Sequence, residues 1–313
     1  GLSTVSRDAS GPQFGERAEF GPDDICYRHP DRHSFTLCQR CGRTICPECQ
    51  QISAVGVLCP DCVRQTQPGA AQRAARSTRV ATRRLADRST PVITYGIMAL
   101  CGMVFAAQVL SANLGDNEVT RALWYAPLYS MPQVFEPWRM LTAIFTHSTG
   151  FIFHILFNLL ALWLFGRNLE QMIGRSAFLL LYLFSGVGGS LGVMLWAYVD
   201  VTSLQVATVG ASGAIFGLLA ATLVAYKAAR INITSLAVLI GINFAIGLLP
   251  GASISWQAHL GGMIVGAITM WVLLATRGPR RTSVRVASLL AIAAMLVALS
   301  GLYLVVPPIS VGW

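Results

Sequence analysis

The chain has 313 residues, of which 54% are hydrophobic and only 12% are charged, and its formal net charge is +9. Soluble globular proteins carry about 25% charged residues, so this composition excludes an ordinary soluble enzyme. Seven of the eight cysteines lie between residues 26 and 62, and no acidic residue follows Asp200. The sequence therefore predicts a small cysteine-rich head followed by a large apolar body.

The head contains four pairs of candidate metal ligands, and two residues separate the members of each pair. The pairs are Cys26 and His29, Cys38 and Cys41, Cys46 and Cys49, and Cys59 and Cys62. Eight ligands complete two tetrahedral zinc sites and leave no position for a catalytic water, so we predict two structural Zn²⁺ ions. His33 is a competitor to His29, but only His29 completes the repeated spacing. The alternative is two to four disulfide bonds, which a reducing cytoplasm disfavours.

The body contains seven apolar stretches, and a bilayer core needs about 20 apolar residues per helix. They lie at about 91–112, 150–168, 176–198, 206–227, 231–249, 256–275 and 285–306. Thirteen of the 23 basic residues precede the first stretch. If that end is cytoplasmic, 21 basic residues lie on the inner side and two, Arg121 and Arg139, on the outer side. Because basic residues favour the cytoplasmic side, we predict a multi-pass protein of the cell membrane with its N-terminus inside and its C-terminus outside.

This distribution of charge predicts four segments along the chain. We expect a disordered N-terminal segment (1–25), a zinc-binding domain (26–62), a basic linker (63–90) and a transmembrane domain (91–306). The linker is either a flexible tether or a basic helix that lies on anionic lipid. Since the basic residues are explained by membrane topology, the partner that we expect is the lipid bilayer and not nucleic acid.

Four polar residues stand out within the apolar stretches. His154 and Asn158 lie four residues apart near the start of the second stretch, Ser212 lies in the fourth, and His259 lies near the start of the sixth. In the predicted topology, helices two, four and six all begin at the outer face, so these side chains converge there. Each one alone is explained as a packing or hydrogen-bonding residue, but polar groups at matched depth in hydrocarbon indicate function.

The chemistry of the four residues indicates acyl transfer. A serine becomes a nucleophile when a neutral imidazole accepts its proton, and the resulting oxyanion needs preorganised donors. Ser212 and His259 supply the first pair, while His154, Asn158 and the Ser212 backbone N–H supply donors. Because no carboxylate is available near these residues, we predict a catalytic dyad that needs no cofactor.

In the order and context of these residues, the segment 90–310 resembles the rhomboid family of intramembrane serine proteases. The resemblance implies a six-helix core, here extended by a seventh, C-terminal transmembrane helix, and hence an all-α polytopic membrane protein. It also implies substrates that are single-span membrane proteins, cleaved near the outer face. The matching segments are Trp138-Arg139, His147, His154-Ile-Leu-Phe-Asn158, Glu170-x3-Gly174, Gly210-Ala211-Ser212-Gly213 and Ala258-His259-x2-Gly262-x3-Gly266.

The resemblance also implies a role for each site residue. Ser212 is the expected nucleophile, His259 the general base and acid, and His154 and Asn158 the oxyanion donors. Phe216, where many members carry tyrosine, is expected to lie against the His259 ring. The step of seven residues from His147 to His154 is longer than the five common in bacterial members, so the role of His147 stays open.

Up to Cys49 the head resembles the B-box type of zinc finger. That resemblance implies a cross-brace, in which the first and third pairs hold one ion and the second and fourth pairs hold the other. Spacing alone does not exclude sequential pairing, and the final pair Cys59 and Cys62 replaces the histidines usual in that family. The head is expected to support the structure or to bind a protein partner, with a ubiquitin-ligase-like role as the alternative.

Two further functions are compatible with the body. The first alternative is a catalytically inactive rhomboid-like protein that binds membrane clients without cutting them. Such relatives typically lack the serine or the histidine, and both Ser212 and His259 are present here. A transporter is less favoured, because the chain lacks the midplane charges and paired broken helices of that class.

Overall fold

The structure is a computed structural model that describes residues 19–54, 56–66, 90–249 and 254–308. The chain forms two compact units that divide after Arg84. Most of the predicted disordered segment (1–25) and of the predicted linker (63–90) lies outside the described residues, so both stay predictions.

The head consists of two small antiparallel ribbons and one short helix. Strand β1 (Ile25–Cys26) pairs with β2 (His29–His33), and β3 (Gln51–Ser53) pairs with β4 (Gly56–Leu58) before helix α1 (Pro60–Thr66). Its buried core is made mainly of cysteines, together with Ile45 and Leu58. A unit of this size has too little apolar interior to be stable without disulfides or metal ions.

The body is helical, as its apolar stretches predict. Its main helices are α2 (Val92–Asn113), α3 (Ile152–Ile173), α4 (Arg175–Trp196), α5 (Ser212–Ala228), α6 (Thr234–Gly247), α7 (Trp256–Ala275) and α8 (Thr282–Ser300). Five of these regions are long and apolar enough to cross a membrane, whereas α5 and α6 are shorter. The chain is therefore a mostly helical, multi-pass membrane protein with a small cysteine-rich head, which confirms the predicted fold class.

Two of the predicted boundaries were wrong by several residues. The fourth stretch was expected to be helical from about residue 206, but α5 begins at Ser212, and Val206 is extended. Thr208 forms a β-bridge with Tyr125, and Gly210 has a φ of +119°, which no helix accommodates. Helix α6 has 14 residues, where the apolar stretch 231–249 suggested a longer one.

Helices α4, α5 and α7 contact one another through glycines. A Cβ atom added at Gly262 would lie 1.9 Å from the carbonyl oxygen of Gly213, and one added at Gly266 would lie 2.3 Å from that of Gly217. Small residues at these positions allow the helix backbones to touch, as is common in membrane proteins. The contact at Gly262 places the start of α5 against the start of α7.

Glu170, near the end of α3, caps the start of α2. Its carboxylate accepts hydrogen bonds from the N–H groups of Ile93 (2.9 Å) and Thr94 (2.7 Å) and from the Thr94 hydroxyl (2.7 Å). A buried carboxylate is well placed there, because the first N–H groups of a helix have no partner within the helix. The Glu170-x3-Gly174 segment therefore joins two helices.

Arg139 fixes the loop between α2 and α3. Its guanidinium lies 4.0 Å from the centre of the Tyr129 ring, forms an ion pair with Glu136, and donates to the carbonyl oxygens of Arg121 and Trp124. A planar group with five donors can hold several loop segments at once. The Trp138-Arg139 segment thus contributes to the loop that precedes α3.

Candidate active site and metal centres

The four polar residues singled out from the sequence line one cavity of about 1530 Å³. Ser212 is the first residue of α5, and His259 lies in the first turn of α7, which the Ser255 side chain caps. His154 lies in the first turn of α3, and Asn158 follows one turn later. The fold therefore brings together side chains that are more than 100 residues apart in the chain.

The ring of His259 is held by packing. Phe216, one turn after Ser212, stacks on it with the ring centroids 3.9 Å apart and the planes 12° apart. Within the described part of the chain, the Nδ1 atom of His259 has no hydrogen-bond partner, and no hydrogen bond joins this ring to the Ser212 hydroxyl. The expected stacking of Phe216 on His259 is thus present.

His154 presents its other nitrogen to the space beside Gly210. Its Nδ1 atom accepts a hydrogen bond from the Ser148 backbone N–H (3.2 Å), so the neutral ring carries its proton on Nε2. A Cβ atom added at Gly210 would lie 2.8 Å from this Nε2 and 3.8 Å from the Ser212 hydroxyl oxygen. The space beside Gly210 is therefore shared by an N–H donor and by a hydroxyl.

Asn158 is buried, and its Nδ2 atom donates to the carbonyl oxygen of His154 (2.6 Å). An amide NH₂ group has two protons, so one N–H remains for a group in the cavity. The bond to the backbone fixes which way the amide faces.

Asp200, which follows α4, is the one acidic residue among the described residues that lines the cavity. The sequence alone did not place it there. One of its carboxylate oxygens accepts from the N–H (3.0 Å) and hydroxyl (2.6 Å) of Thr202 and so closes a local turn. Because the Nδ1 of His259 has no partner in the described residues, Asp200 does not complete a triad in this structure.

The sequence analysis also missed the residues behind His154. Gln108 on α2 is fully buried and makes two hydrogen bonds to the backbone of His147. His147 itself is buried, and neither of its ring nitrogens has a partner in the described residues. The sequence does contain a signal for Gln108, because it lies in the middle of an apolar stretch. A polar side chain in such a stretch must find hydrogen-bond partners within the protein.

The head brings its eight candidate ligands together in two groups. One group consists of Cys26, His29, Cys46 and Cys49, and the other of Cys38, Cys41, Cys59 and Cys62. In each group the ligand atoms lie within 4.8 Å of one another. This is the alternating arrangement that the B-box resemblance implies, and His33 belongs to neither group.

The distances between these ligands suit a metal ion, whereas their ionisation differs within each group. Burial raises the pKa of Cys49 and that of Cys62 to about 12. The Nδ1 atom of His29 lies 3.3 Å from the sulfur of Cys46 and 3.4 Å from that of Cys49. Burial opposes ionisation of Cys26, but backbone hydrogen bonds outweigh it and lower the pKa of that thiol to about 6. The pKa of Cys38 is also lowered to about 6, because backbone N–H groups such as that of Cys59 outweigh the effect of burial. Thiolates at neutral pH are the form that binds metals.

Comparison with known proteins gives a consistent result. Residues 134–276 match the family of the rhomboid domain. "RHOMBOID-like protein 6, mitochondrial" of Arabidopsis thaliana is 36% identical over 146 residues, which are 44% of this chain and 44% of that protein. "Rhomboid protease GluP" of Bacillus subtilis is 36% identical over 182 residues, which are 56% of this chain and 34% of that protein. "Rhomboid protease AarA" of Providencia stuartii is 28% identical over 201 residues, which are 56% of this chain and 70% of that protein.

The match to the rhomboid domain lies in the body of the chain and not in the head. The chain spans less than half the length of the Arabidopsis and Bacillus proteins that it matches. The four polar residues of the cavity all lie inside the matched segment 134–276. The chain therefore contains a rhomboid domain over residues 134–276.

Proposed function

We propose that this chain is an intramembrane serine endopeptidase that cleaves transmembrane helices near the outer membrane face. The observation that carries the proposal is the shared space beside Gly210, where the Nε2–H of His154 and the hydroxyl of Ser212 face the same cavity. The relatives named rhomboid protease add support from sequence. In this proposal Ser212 is the nucleophile and His259 the general base.

In the first half of the reaction, the Ser212 hydroxyl oxygen attacks the carbonyl carbon of the scissile peptide bond while His259 takes the hydroxyl proton. The carbonyl oxygen becomes an oxyanion that accepts hydrogen bonds from the Nε2–H of His154, the free N–H of Asn158 and the Ser212 backbone. When the C–N bond breaks, the leaving amine takes the proton from His259. The N-terminal part of the substrate stays on Ser212 as an ester.

In the second half, a water molecule attacks the ester carbon and gives one proton to His259. The oxyanion forms again in the same place and collapses as the bond to the Ser212 oxygen breaks. His259 then returns its proton to that oxygen, which restores the hydroxyl. No carboxylate takes part, so the imidazole relies on Phe216 stacking and on its own helix for orientation.

The substrate reaches Ser212 from the bilayer in this proposal. Residues of α3 such as Phe157 and Leu164, and residues of α6 such as Leu239 and Ile246, line the same cavity as Ser212. The cavity wall between these two helices is thus mainly apolar, which suits a transmembrane helix that has partly unwound. With the basic residues placed inside, the N-terminus and head are cytoplasmic and the site faces outwards.

For the head we propose two structural Zn²⁺ ions. The first group offers three sulfur atoms and one nitrogen atom and the second offers four sulfur atoms, and both are ligand sets typical of structural zinc. Bound zinc supplies the cross-links that a unit with so small a core requires, and it takes no part in peptide hydrolysis. The head thereby presents a rigid surface to a protein partner.

The test uses the purified full chain in liposomes with a single-span model substrate. We expect cleavage by the wild type and none by Ser212→Ala or His259→Ala, and we expect a fluorophosphonate probe to label the wild type but not Ser212→Ala. Ser300→Ala is the matched control, because Ser300 lies on α8 and its hydroxyl bonds only a local carbonyl oxygen. Cleavage that persists in Ser212→Ala would refute the proposal. Binding of the substrate without cleavage by the wild type would favour the inactive client-binding protein.

A further inference from the structure

We infer that Gln108 on α2 is a positioning residue that fixes the tautomer of His154 through the peptide bond between His147 and Ser148. The inference rests on the proposed protease function, because it concerns the donor that His154 offers to the oxyanion. It assigns a role to a residue that has no contact with the cavity and that belongs to none of the motifs singled out from the sequence.

The first step is the contact between Gln108 and the backbone of His147. The Oε1 atom of Gln108 accepts from the His147 N–H (3.0 Å), and its Nε2 atom donates to the His147 carbonyl oxygen (3.0 Å). The second proton of Nε2 goes to the hydroxyl oxygen of Thr120 (3.0 Å). Gln108 is fully buried, so its amide has no competing water and clamps the backbone of residue 147.

The second step is the geometry of one peptide unit. The carbonyl of His147 and the N–H of Ser148 belong to the same peptide bond, which is trans and planar, so the two groups point in opposite directions. The carbonyl faces Gln108, and the N–H therefore faces the Nδ1 atom of His154 (3.2 Å). Hydrogen bonds linked through one peptide unit polarise and strengthen one another.

The third step is the effect on His154. A backbone N–H can only donate, so Nδ1 must be the acceptor, and the proton of the neutral ring must lie on Nε2. Nε2 is the atom that faces the space shared with the Ser212 hydroxyl. If Nδ1 carried the proton instead, Nε2 would present a lone pair to the oxyanion and repel it. The relay from Gln108 to His154 therefore determines whether the ring can stabilise the transition state.

The relay also explains how the segment around His147 acts. The ring nitrogens of His147 have no partner among the described residues, although its ring centre lies 5.4 Å from that of His154. The hydrogen-bonded connection from residue 147 to His154 therefore runs through the backbone and not through the His147 ring.

The experiment replaces Gln108 by methionine, which has a similar length but neither donates nor accepts as an amide does. We expect kcat to fall about tenfold per mole of folded protein while KM changes less than about twofold, because an oxyanion donor acts in the transition state. Thr222→Val is the control: it also removes a buried hydrogen bond, but the bond is a local one, to Leu218 within α5. We expect kcat of this control to stay within about twofold of the wild type.

A second readout does not depend on activity. Nitrogen NMR of the full chain with labelled histidine distinguishes a protonated from an unprotonated ring nitrogen, and subtraction of the His154→Asn spectrum assigns the signals of His154. We expect one tautomer, protonated on Nε2, in the wild type and in Thr222→Val, and a mixture of tautomers in Gln108→Met.

The outcomes separate this inference from the proposed function. An unchanged tautomer in Gln108→Met overturns the inference, even if the wild type cleaves no substrate. A changed tautomer with an unchanged kcat in an active protease also overturns it. If the wild type is inactive, the protease proposal fails, while the tautomer measurement still decides whether Gln108 positions the ring.

Discussion

The ring of Phe216 lies flat against the ring of His259, with their centroids 3.9 Å apart. Both rings are buried, and Phe216 follows Ser212 by one helical turn on α5. The stack therefore links the helix that carries the hydroxyl to the helix that carries the imidazole. The Nδ1 of His259 has no partner in the described residues, so in the protease that we propose this ring contact takes the place of the carboxylate that orients the imidazole in a triad.

The first prediction concerns that stack. We expect Phe216→Leu to lower the cleavage rate by about twofold to twelvefold, because an aromatic pair contributes about 0.5–1.5 kcal/mol beyond its buried area. Phe216→Tyr keeps the stacking face and should cleave within about twofold of the wild type. Initial rates on a single-span substrate measure the effect. If Phe216→Leu were as active as the wild type, the ring of His259 would be held in some other way.

The second prediction concerns the cap that Glu170 provides to α2. Glu170→Ala removes the acceptor of three hydrogen bonds from Ile93 and Thr94, two of them buried, and we expect it to lower the free energy of unfolding by about 2–4 kcal/mol. Glu170→Gln keeps one acceptor oxygen, so its loss should be smaller. Denaturant unfolding in mixed micelles measures both. Asn168→Ala is the control, because Asn168 is exposed and bonds only the carbonyl of Leu164 in its own helix.

The residues of the candidate site could be predicted from the sequence because polar side chains are rare within apolar stretches. Ser212, His259, His154 and Asn158 are polar residues in apolar stretches, so their positions alone mark them. Their convergence then follows from the direction of successive helices. The eight ligands of the head likewise follow from a repeated spacing, and the alternating grouping required the B-box resemblance.

The remaining features depend on tertiary contacts that no local pattern encodes. Hydropathy could not show that the segment before Ser212 is not helical, because Thr208 there pairs with Tyr125, which is distant in sequence. The relay from Gln108 to His154 depends on the direction of one peptide bond in a loop. Glu170 was recognised as part of a motif, but its bonds to the start of α2 were visible only in the structure.

The third prediction concerns the metal content of the head. We expect the purified full chain to contain two zinc ions, and Cys46→Ser to contain one or fewer. The alternating grouping places Cys46 with Cys26 and His29. Loss of the ion that this group holds therefore also removes the cross-link to the first ribbon of the head, β1 and β2. Elemental analysis after dialysis measures the content, and fluorescence of a zinc indicator during chelation follows the release.

Two controls accompany the metal analysis. His33→Ala should retain two zinc ions, because the His33 ring lies beside Phe20 and belongs to neither group. Cys101→Ala should also retain two, since this thiol is buried in α2. Loss of zinc from His33→Ala would mean that His33 and not His29 is a ligand. A chain without zinc that contained disulfides would contradict both the metal sites and the cytoplasmic location of the head.

The fourth prediction concerns the contact between α5 and α7. A methyl group at Gly262 would lie 1.9 Å from the carbonyl oxygen of Gly213, so Gly262→Ala must push the two helix backbones apart. We expect a loss of about 1–3 kcal/mol in the free energy of unfolding, the usual cost of overpacking. We also expect little remaining cleavage, because His259 lies three residues before Gly262 and Ser212 adjoins Gly213.

Gly102→Ala on α2 is the matched control: its methyl group would meet no atom within 4 Å, so stability should stay the same or rise. Thermal unfolding and cleavage rates measure both variants, and a Gly262→Ala protein with wild-type stability would show that these helices are not in backbone contact.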